Sequence, residues 1–420
     1  MPEIHVPSVE YGHAVDPTLE PDDIPPVRVI ATANSGGTSK TCLSDAEVYL
    51  SMGVGEKLAG RSVLVTGATG FVGSHLTEKL VECGAEVGVL VESGGPGEMG
   101  NLDTVRADVT VYRGDLRDVH AVKRALGHLE GHSDAIVFHL GAQAHVGESW
   151  RRPYETVETN VTGTLNVLQS VLDLDLDVSK VLTAGSSEEY GNRRHPPSAD
   201  ERQRNGNRVT LDETTSVNPT SIYATSKVAA DYLTMNYHDA YSLHGVTTRM
   251  FNNYGPRQSP RYITGTVISQ ALERDRVELG NLEPRRDMSY VTDGVRGLLD
   301  VALEGRPGEQ YVFGSGELVS MREWTNLILE VGRAEGYWGE IEVVQRRERY
   351  RPGDSDVEAL VADYGKLHAL TGWEPTVSDR TGIRRTIEWF ANNRREWRCR
   401  IDWDNTSRLV AKASDGSAGR

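Results

Sequence analysis

Residues 63–76 limit what this chain can fold into more than any other stretch. Val63, Leu64 and Val65 form a short apolar run, as a parallel strand buried on both faces requires. Gly67, Gly70 and Gly73 follow at intervals of three, and Phe71, Val72, Leu76, Leu80 and Val81 then recur at helical spacing. A strand, a glycine turn and a helix in that order present bare backbone N–H groups at a helix N-terminus. A dinucleotide's pyrophosphate sits against such groups, and side chains at the glycines would block it. A glycine-rich loop that merely closes a strand onto a helix gives the same trio, but the strand–turn–helix context favours the cofactor.

The pattern then repeats. Residues 85–91, 109–112, 135–140, 178–184 and 246–250 read as five further strands with helical patterns between them. This succession predicts an α/β fold, a Rossmann-type doubly wound parallel sheet over residues 58–250, with ligands at the carboxyl ends of its strands. Shorter mixed elements over residues 251–398 read as a smaller α/β domain for the substrate. Residues 1–57 read as an N-terminal extension, with a capping-box pattern at Ser44 and Glu47 that predicts a short helix, and residues 399–420 as a polar tail. Residues 192–218 form a long polar segment, which is either a functional lid or disordered.

A formal charge of −16 weighs against a nucleic-acid partner. No signal pattern and no run of membrane-spanning length occurs. Cys42, Cys83 and Cys399 are far apart without metal-ligand spacing, so no metal is expected and a reducing cytoplasm suits the chain.

The strand ends carry the chemistry. Glu92 follows the second strand, where an acid meets an adenosine ribose and repels a 2′-phosphate, although an ordinary loop acid fits as well. Ser186 follows the fifth strand. Tyr223 and Lys227 are four apart and share one face of a helix. An ammonium beside the phenol lowers its pKa and makes Tyr223 a base toward a sugar hydroxyl, which Ser186 could also hold. A Tyr/Lys pair alone is usually surface decoration. The glycine turn and the strand-end serine reverse that weighting.

These features join a set of motifs: GATGFVG (67–73), GDL (114–116), HLGAQAHV (139–146), NVTGTLNVL (160–168), GSSEEYG (185–191), YATSK (223–227), RMFNNYGPRQ (249–258), GNLEPRRDMSYVTD (280–293) and RYRPGDSDVEAL (349–360). Together they resemble the extended short-chain dehydrogenase/reductases of the nucleotide-sugar epimerase/dehydratase group, over roughly residues 58–393. The resemblance implies an NAD(P)-dependent enzyme acting on a nucleotide-diphosphate sugar. It implies cofactor contacts from Gly67, Gly70, Phe71, Val72, Gly73 and Glu92, then from Asp115, Leu116, Leu140 and Ala142, with Lys227 on the nicotinamide ribose and Tyr223 as base. Val91 stands where the family's second strand usually ends in Asp, with Glu92 next, which leaves NAD against NADP open, leaning to NAD.

Glu188 discriminates within the group. Epimerases usually carry a small or hydroxylic residue there, whereas 4,6-dehydratases and UDP-glucuronate decarboxylases carry Glu. After oxidation at C4 the C5 proton is acidic, and a carboxylate removes it before the C6 hydroxyl leaves as water. In dTDP-glucose dehydratases an Asp precedes this Glu. Ser187 stands in its place here, as in GDP-mannose dehydratases and the UDP-N-acetylglucosamine dehydratases of legionaminic acid synthesis. By that likeness Glu188 serves as both base and acid. Asn252 is implied at the sugar phosphate, and Arg286 and Arg351 at the diphosphate, where a guanidinium fork meets two oxygens. The expectation is an NAD-dependent 4,6-dehydratase acting as a homodimer. Alternatives are a 4-epimerase, a UDP-glucuronate decarboxylase, a 4-keto reductase (to which GSSEEYG is also similar) and a non-catalytic dinucleotide-sensing scaffold.

Overall fold

Each inner strand of the main sheet is an apolar or β-branched run because both of its faces are covered. The computed structural model describes residues 52–92, 99–192, 210–350 and 357–398. The helix expected near Ser44, most of the segment 192–218, the tail 399–420 and Arg351 lie outside these residues.

In chain order the strands are β1 (Ser62–Thr66), β2 (Glu86–Val91), β3 (Val109–Arg113), β4 (Ala135–His139), β5 (Val178–Ala184), β6 (Gly245–Met250), β7 (Asn252–Tyr254), β8 (Arg276–Leu279), β9 (Arg285–Arg286), β10 (Met288–Tyr290), β11 (Gln310–Phe313), β12 (Val319–Ser320), β13 (Glu342–Gln345) and β14 (Ala359–Leu360). Seven of them make one sheet in the order β11-β6-β5-β4-β1-β2-β3, and every pair in it is parallel. All five residues of β1 and of β4 are buried, whereas the edge strand β3 is partly exposed.

Alternation along β1 divides two cores. Val63 and Val65 join Leu76 and Leu80 of helix Phe71–Glu82 on one face. Leu64 joins Val137, Val181, Leu126 and Leu168 on the other. The strand order reverses between β1 and β4, which opens a crevice at their carboxyl ends.

Two boundaries differ from expectation. The expected extension ended at residue 57, yet Val54 and Leu58 of helix Met52–Leu58 are buried in the first core. Two apolar residues four apart on so short a helix are too few to mark a core face in the sequence. The sheet also does not end at residue 250, because β11 returns from the expected substrate region and pairs with β6 from Gln310↔Thr247 to Phe313↔Met250. Its four residues are too few to carry a period.

Beyond the main sheet, β7 pairs with β10, β9 lies between β12 and β14, and β8 pairs with β13. Tyr254, Tyr290 and Trp324 pack edge-to-face behind β7 and β10. Leu211, within the long polar segment 192–218, is buried and bridges to Ala362. No helix among the described residues is long and apolar enough to cross a membrane.

Candidate active site

After Thr66 the chain turns at Gly67 with φ +74°, a left-handed conformation that glycine adopts without strain. A Cβ at Gly67 would lie 2.7 Å from Gly141 N, and one at Gly73 would lie 2.1 Å from Gly67 O. Gly70 is the N-cap of helix Phe71–Glu82, and no side chain caps that helix. The N–H groups of Phe71, Val72 and Gly73 therefore lack intrahelical acceptors and point out of the helix start. This bare cradle fits a pyrophosphate. Gly73→Val is expected to weaken dinucleotide binding at least about tenfold and to lower the melting temperature, since a core overpacked by such a contact loses about 1–3 kcal/mol. Calorimetric titration and thermal melting would check both.

The other expected cofactor residues follow the carboxyl ends of β2, β3 and β4. Glu92 is exposed directly after β2, the neighbour of β1. Asp115 is held by Arg117, whose Nε donates at 3.0 Å to both carboxylate oxygens, and this side-chain hydrogen bond keeps its pKa below the usual carboxylate value. Leu116 fills the space beside two glycines: a Cβ at Gly141 would meet its Cδ1 at 2.7 Å, and one at Gly163 its Cβ at 3.0 Å. Leu140 N donates to Thr66 O at 3.2 Å, and Ala142 lies two residues further on, half-buried.

A buried polar chain connects the turn to the Tyr223 helix. Thr66 Oγ1 accepts from Gly141 N (3.0 Å) and meets His139 Nδ1 at 2.8 Å. His139 Nε2 reaches Thr164 Oγ1 at 2.9 Å, and Thr164 donates to Asn160 O at 2.6 Å. Asn160 lies in the π-helical turn Glu158–Thr162. Its Nδ2 donates to Ser226 Oγ (2.9 Å), and its Oδ1 accepts from Gln143 N (2.7 Å). Burial, aided by the Lys227 charge, lowers the His139 pKa to about 3, so the imidazole is a neutral bridge. π-turns inside helices recur at functional sites, and this one aims Asn160 inward.

Ser186 lies two residues after β5 and caps the 3₁₀ turn Ser187–Tyr190, its Oγ accepting from Glu188 N at 3.2 Å. Ser187 and Glu188 are both buried there, Glu188 at 8 % exposure. Tyr223 opens helix Ile222–Tyr241, which Ser221 caps by accepting from Ala224 N. The Tyr223 hydroxyl lies close enough to the Ser186 side chain and to Glu188 for both to act on its pKa. Ser186, Glu188 and Tyr223 thus meet at the end of β5.

One expectation is corrected here. Lys227 is expected to lower the Tyr223 pKa, but burial raises it, and the neighbouring Ser186 side chain offsets this only in part. Lys227, one turn along the helix, donates its Nζ to Ala184 O at 2.7 Å, and its own pKa is lowered by burial. Desolvation of the phenol outweighs the nearby ammonium.

On the substrate side, Asn252 begins β7, half-buried. Arg286 is buried in β9, where its Nη1 donates to Val357 O at 2.7 Å and to Arg285 O at 2.9 Å. Asp287 accepts from Gly316 N (2.8 Å) and Ala362 N (3.0 Å), and Asp293 accepts from Val377 N (3.0 Å), which makes both acids anchors for backbone. Tyr262, which sequence reasoning passed over, bridges to the loop after β4 by donating to Ala144 O at 2.9 Å.

The family model for GDP-mannose 4,6 dehydratase matches residues 64–386, which span both the glycine turn and the Tyr223 helix. The chain belongs to this family. It is 30% identical, over 80% of its length and 94% of the relative's, to a probable dTDP-glucose 4,6-dehydratase of Sinorhizobium fredii. A dTDP-glucose 4,6-dehydratase from Streptomyces venezuelae, solved with NAD bound, has a TM-score of 0.69 at 29% identity, covering 81% of this chain and all of that one. A UDP-glucose 4-epimerase from Thermus thermophilus, in complex with NAD, has a TM-score of 0.66 at 31% identity, covering 79% of this chain and 99% of that one. This family member is therefore an enzyme of the nucleotide-sugar dehydratase/epimerase kind on a Rossmann-like scaffold.

Sequence reasoning missed Thr66, His139 and Thr164, whose polar side chains lie at positions that look like ordinary strand and helix interior. It also missed the ion pair of Glu189 with Arg249, because the two are 60 residues apart.

Proposed function

We propose that the chain is an NAD-dependent nucleotide-sugar 4,6-dehydratase of the cytoplasm, converting a nucleotide-diphosphate hexose to its 4-keto-6-deoxy form. The observation that carries this is the meeting of Ser186, Glu188 and Tyr223 at the end of β5. The glycine turn, Asp115, Leu116, Leu140 and Ala142 would hold the dinucleotide, with Glu92 toward its ribose. When bound, NAD supplies a hydride acceptor for C4 and a donor for C6. Tyr223 takes the C4 hydroxyl proton while Ser186 holds that oxygen. Glu188 takes the C5 proton and gives it to the C6 hydroxyl, which leaves as water. C5 then regains a proton from solvent and Tyr223 releases the one it took, so the sum is loss of one water. Asn252, Arg286 and Arg351 would hold the sugar phosphates. Glu189 cannot share the Glu188 role, because it is fully buried and bonded to Arg249 and to Ser186 N.

The test is mass spectrometry of reactions with UDP-, GDP-, dTDP- and CDP-hexoses plus NAD. The proposal expects a product lighter by one water from one donor. Loss of carbon dioxide from UDP-glucuronate would mean a decarboxylase instead. An isomer of unchanged mass would mean a 4-epimerase, the second reading, which the likeness to the Thermus enzyme supports.

We also propose a homodimer. Trp150, Tyr154, Val157, Leu165 and Tyr232 are exposed on the helices around residues 146–173 and on helix Ile222–Tyr241, with Tyr154 at 83 % and Tyr232 at 58 %. These helices pack together, and so much exposed aromatic surface marks an interaction face. The combined change Tyr154→Glu and Tyr232→Glu is expected to give monomers by light scattering. A wild-type monomer would overturn the proposal.

A further inference from the structure

Behind Ser186 lies a buried cluster that the reaction as proposed does not use. Glu189 and Asp231 are at most 3 % exposed, Arg249 6 % and Lys227 7 %. Arg249 Nε, from β6, lies 2.8 Å from Glu189 Oε2 and 3.4 Å from Asp231 Oδ2. Glu189 Oε1 accepts from Ser186 N at 2.7 Å. Gln310 of β11 donates to Asp231 Oδ2 at 2.5 Å. Lys227 stands one helical turn before Asp231. The space is tight: a Cβ at Gly185 would lie 2.6 Å from Glu189 Oε1 and 2.9 Å from Asp231 Oδ1.

Two features of the cluster do not fit a pair of ionised acids. The Glu189 and Asp231 carboxylates both face Arg249 Nε and both crowd Gly185, so two negative charges would stand together in a buried space. Asp231 Oδ1 is buried with no hydrogen-bond donor among the described residues. One proton resolves both. Negative charge belongs where the donors are, and Glu189 holds both the shorter Arg249 contact and the Ser186 N–H.

We propose that Asp231 is a neutral acid that donates its proton to Glu189, and that the anionic Glu189, clamped by Arg249, is the positioning residue for Ser186. The consequence for the site is electrostatic as well as geometric. With both acids ionised, Lys227 and Arg249 would be neutralised. With Asp231 protonated, the cluster keeps one net positive charge behind the Ser186–Tyr223 pair, which favours an anion on the Tyr223 oxygen. The geometry also fixes the Ser186 backbone through its N–H, so the serine hydroxyl meets Tyr223 in one orientation.

The functional part of this inference rests on the dehydratase reading; the shared proton does not. Infrared spectra of the full chain with NAD at neutral pH are expected to show the carbonyl stretch of a protonated carboxyl group, and Asp231→Asn is expected to remove it. A spectrum without that difference overturns the shared proton whatever reaction the enzyme performs. In steady-state assays on the active nucleotide sugar, Glu189→Ala is expected to lower kcat at least about tenfold with KM moved less than about threefold, the pattern of an interaction made in the transition state. Glu189→Gln is expected to recover part of that loss, because its amide oxygen still accepts from Ser186 N, and this variant carries the test if Glu189→Ala does not fold. The kcat loss from Asp231→Asn is expected to be several-fold smaller. Unchanged kcat in Glu189→Ala, or a gain in KM alone, overturns the positioning role.

Discussion

Tyr223→Phe is expected to lower turnover by about 10²–10⁴-fold, the range for losing a positioned acid–base group. The variant keeps the ring, which is 8 % exposed at the start of its helix, and removes only the hydroxyl oxygen. Packing and cofactor binding should therefore persist, with dinucleotide affinity within about twofold of wild type, since no apolar contact is deleted. The wild-type rate should also depend on pH in a stated direction. Burial holds the Tyr223 phenol above its ordinary pKa. The basic form is then the minor one at neutral pH, and the rate of C4 oxidation should climb as pH rises. Near-normal turnover in Tyr223→Phe, or a rate that falls with pH over that range, would contradict the assigned base.

The second large effect is expected at Glu188. Glu188→Gln keeps the size of a buried side chain but cannot take a proton from C5. Water loss should fall by about 10²–10⁴-fold for the same reason as above. In deuterated water the wild-type product should carry deuterium at C5, and the variant should form no such product. Glu188 and Glu189 are adjacent in sequence, yet their substitutions should differ in kind. Glu188→Gln should stop elimination, whereas the Glu189 variants should slow the whole reaction by disturbing Ser186. Equal product formation by Glu188→Gln and wild type would remove Glu188 from the chemistry.

The parallel sheet was legible because β1, β2, β4 and β5 are buried on both faces and had to be written as continuous apolar runs. The glycine turn was legible because a Cβ at Gly73 has no room. β11 was not, since its four residues pair with a strand 63 positions away. The Tyr223–Lys227 spacing pointed to the candidate site but not to its electrostatics. Spacing places Lys227 near Tyr223, while only packing reveals that both groups are buried and that the ammonium is bound to Ala184 O. The Glu189–Arg249–Asp231 cluster has no local signature at all, because β6, the turn after β5 and the Tyr223 helix bring it together only in the fold.

The central claim, internal dehydration rather than epimerisation, is tested most directly with the active nucleotide sugar labelled with deuterium at C4. The account predicts a product that has lost one water and carries the label at C6. Label retained at C4 in an isomer of unchanged mass would contradict it and would reduce Glu188 to a buried acid with no part in the reaction.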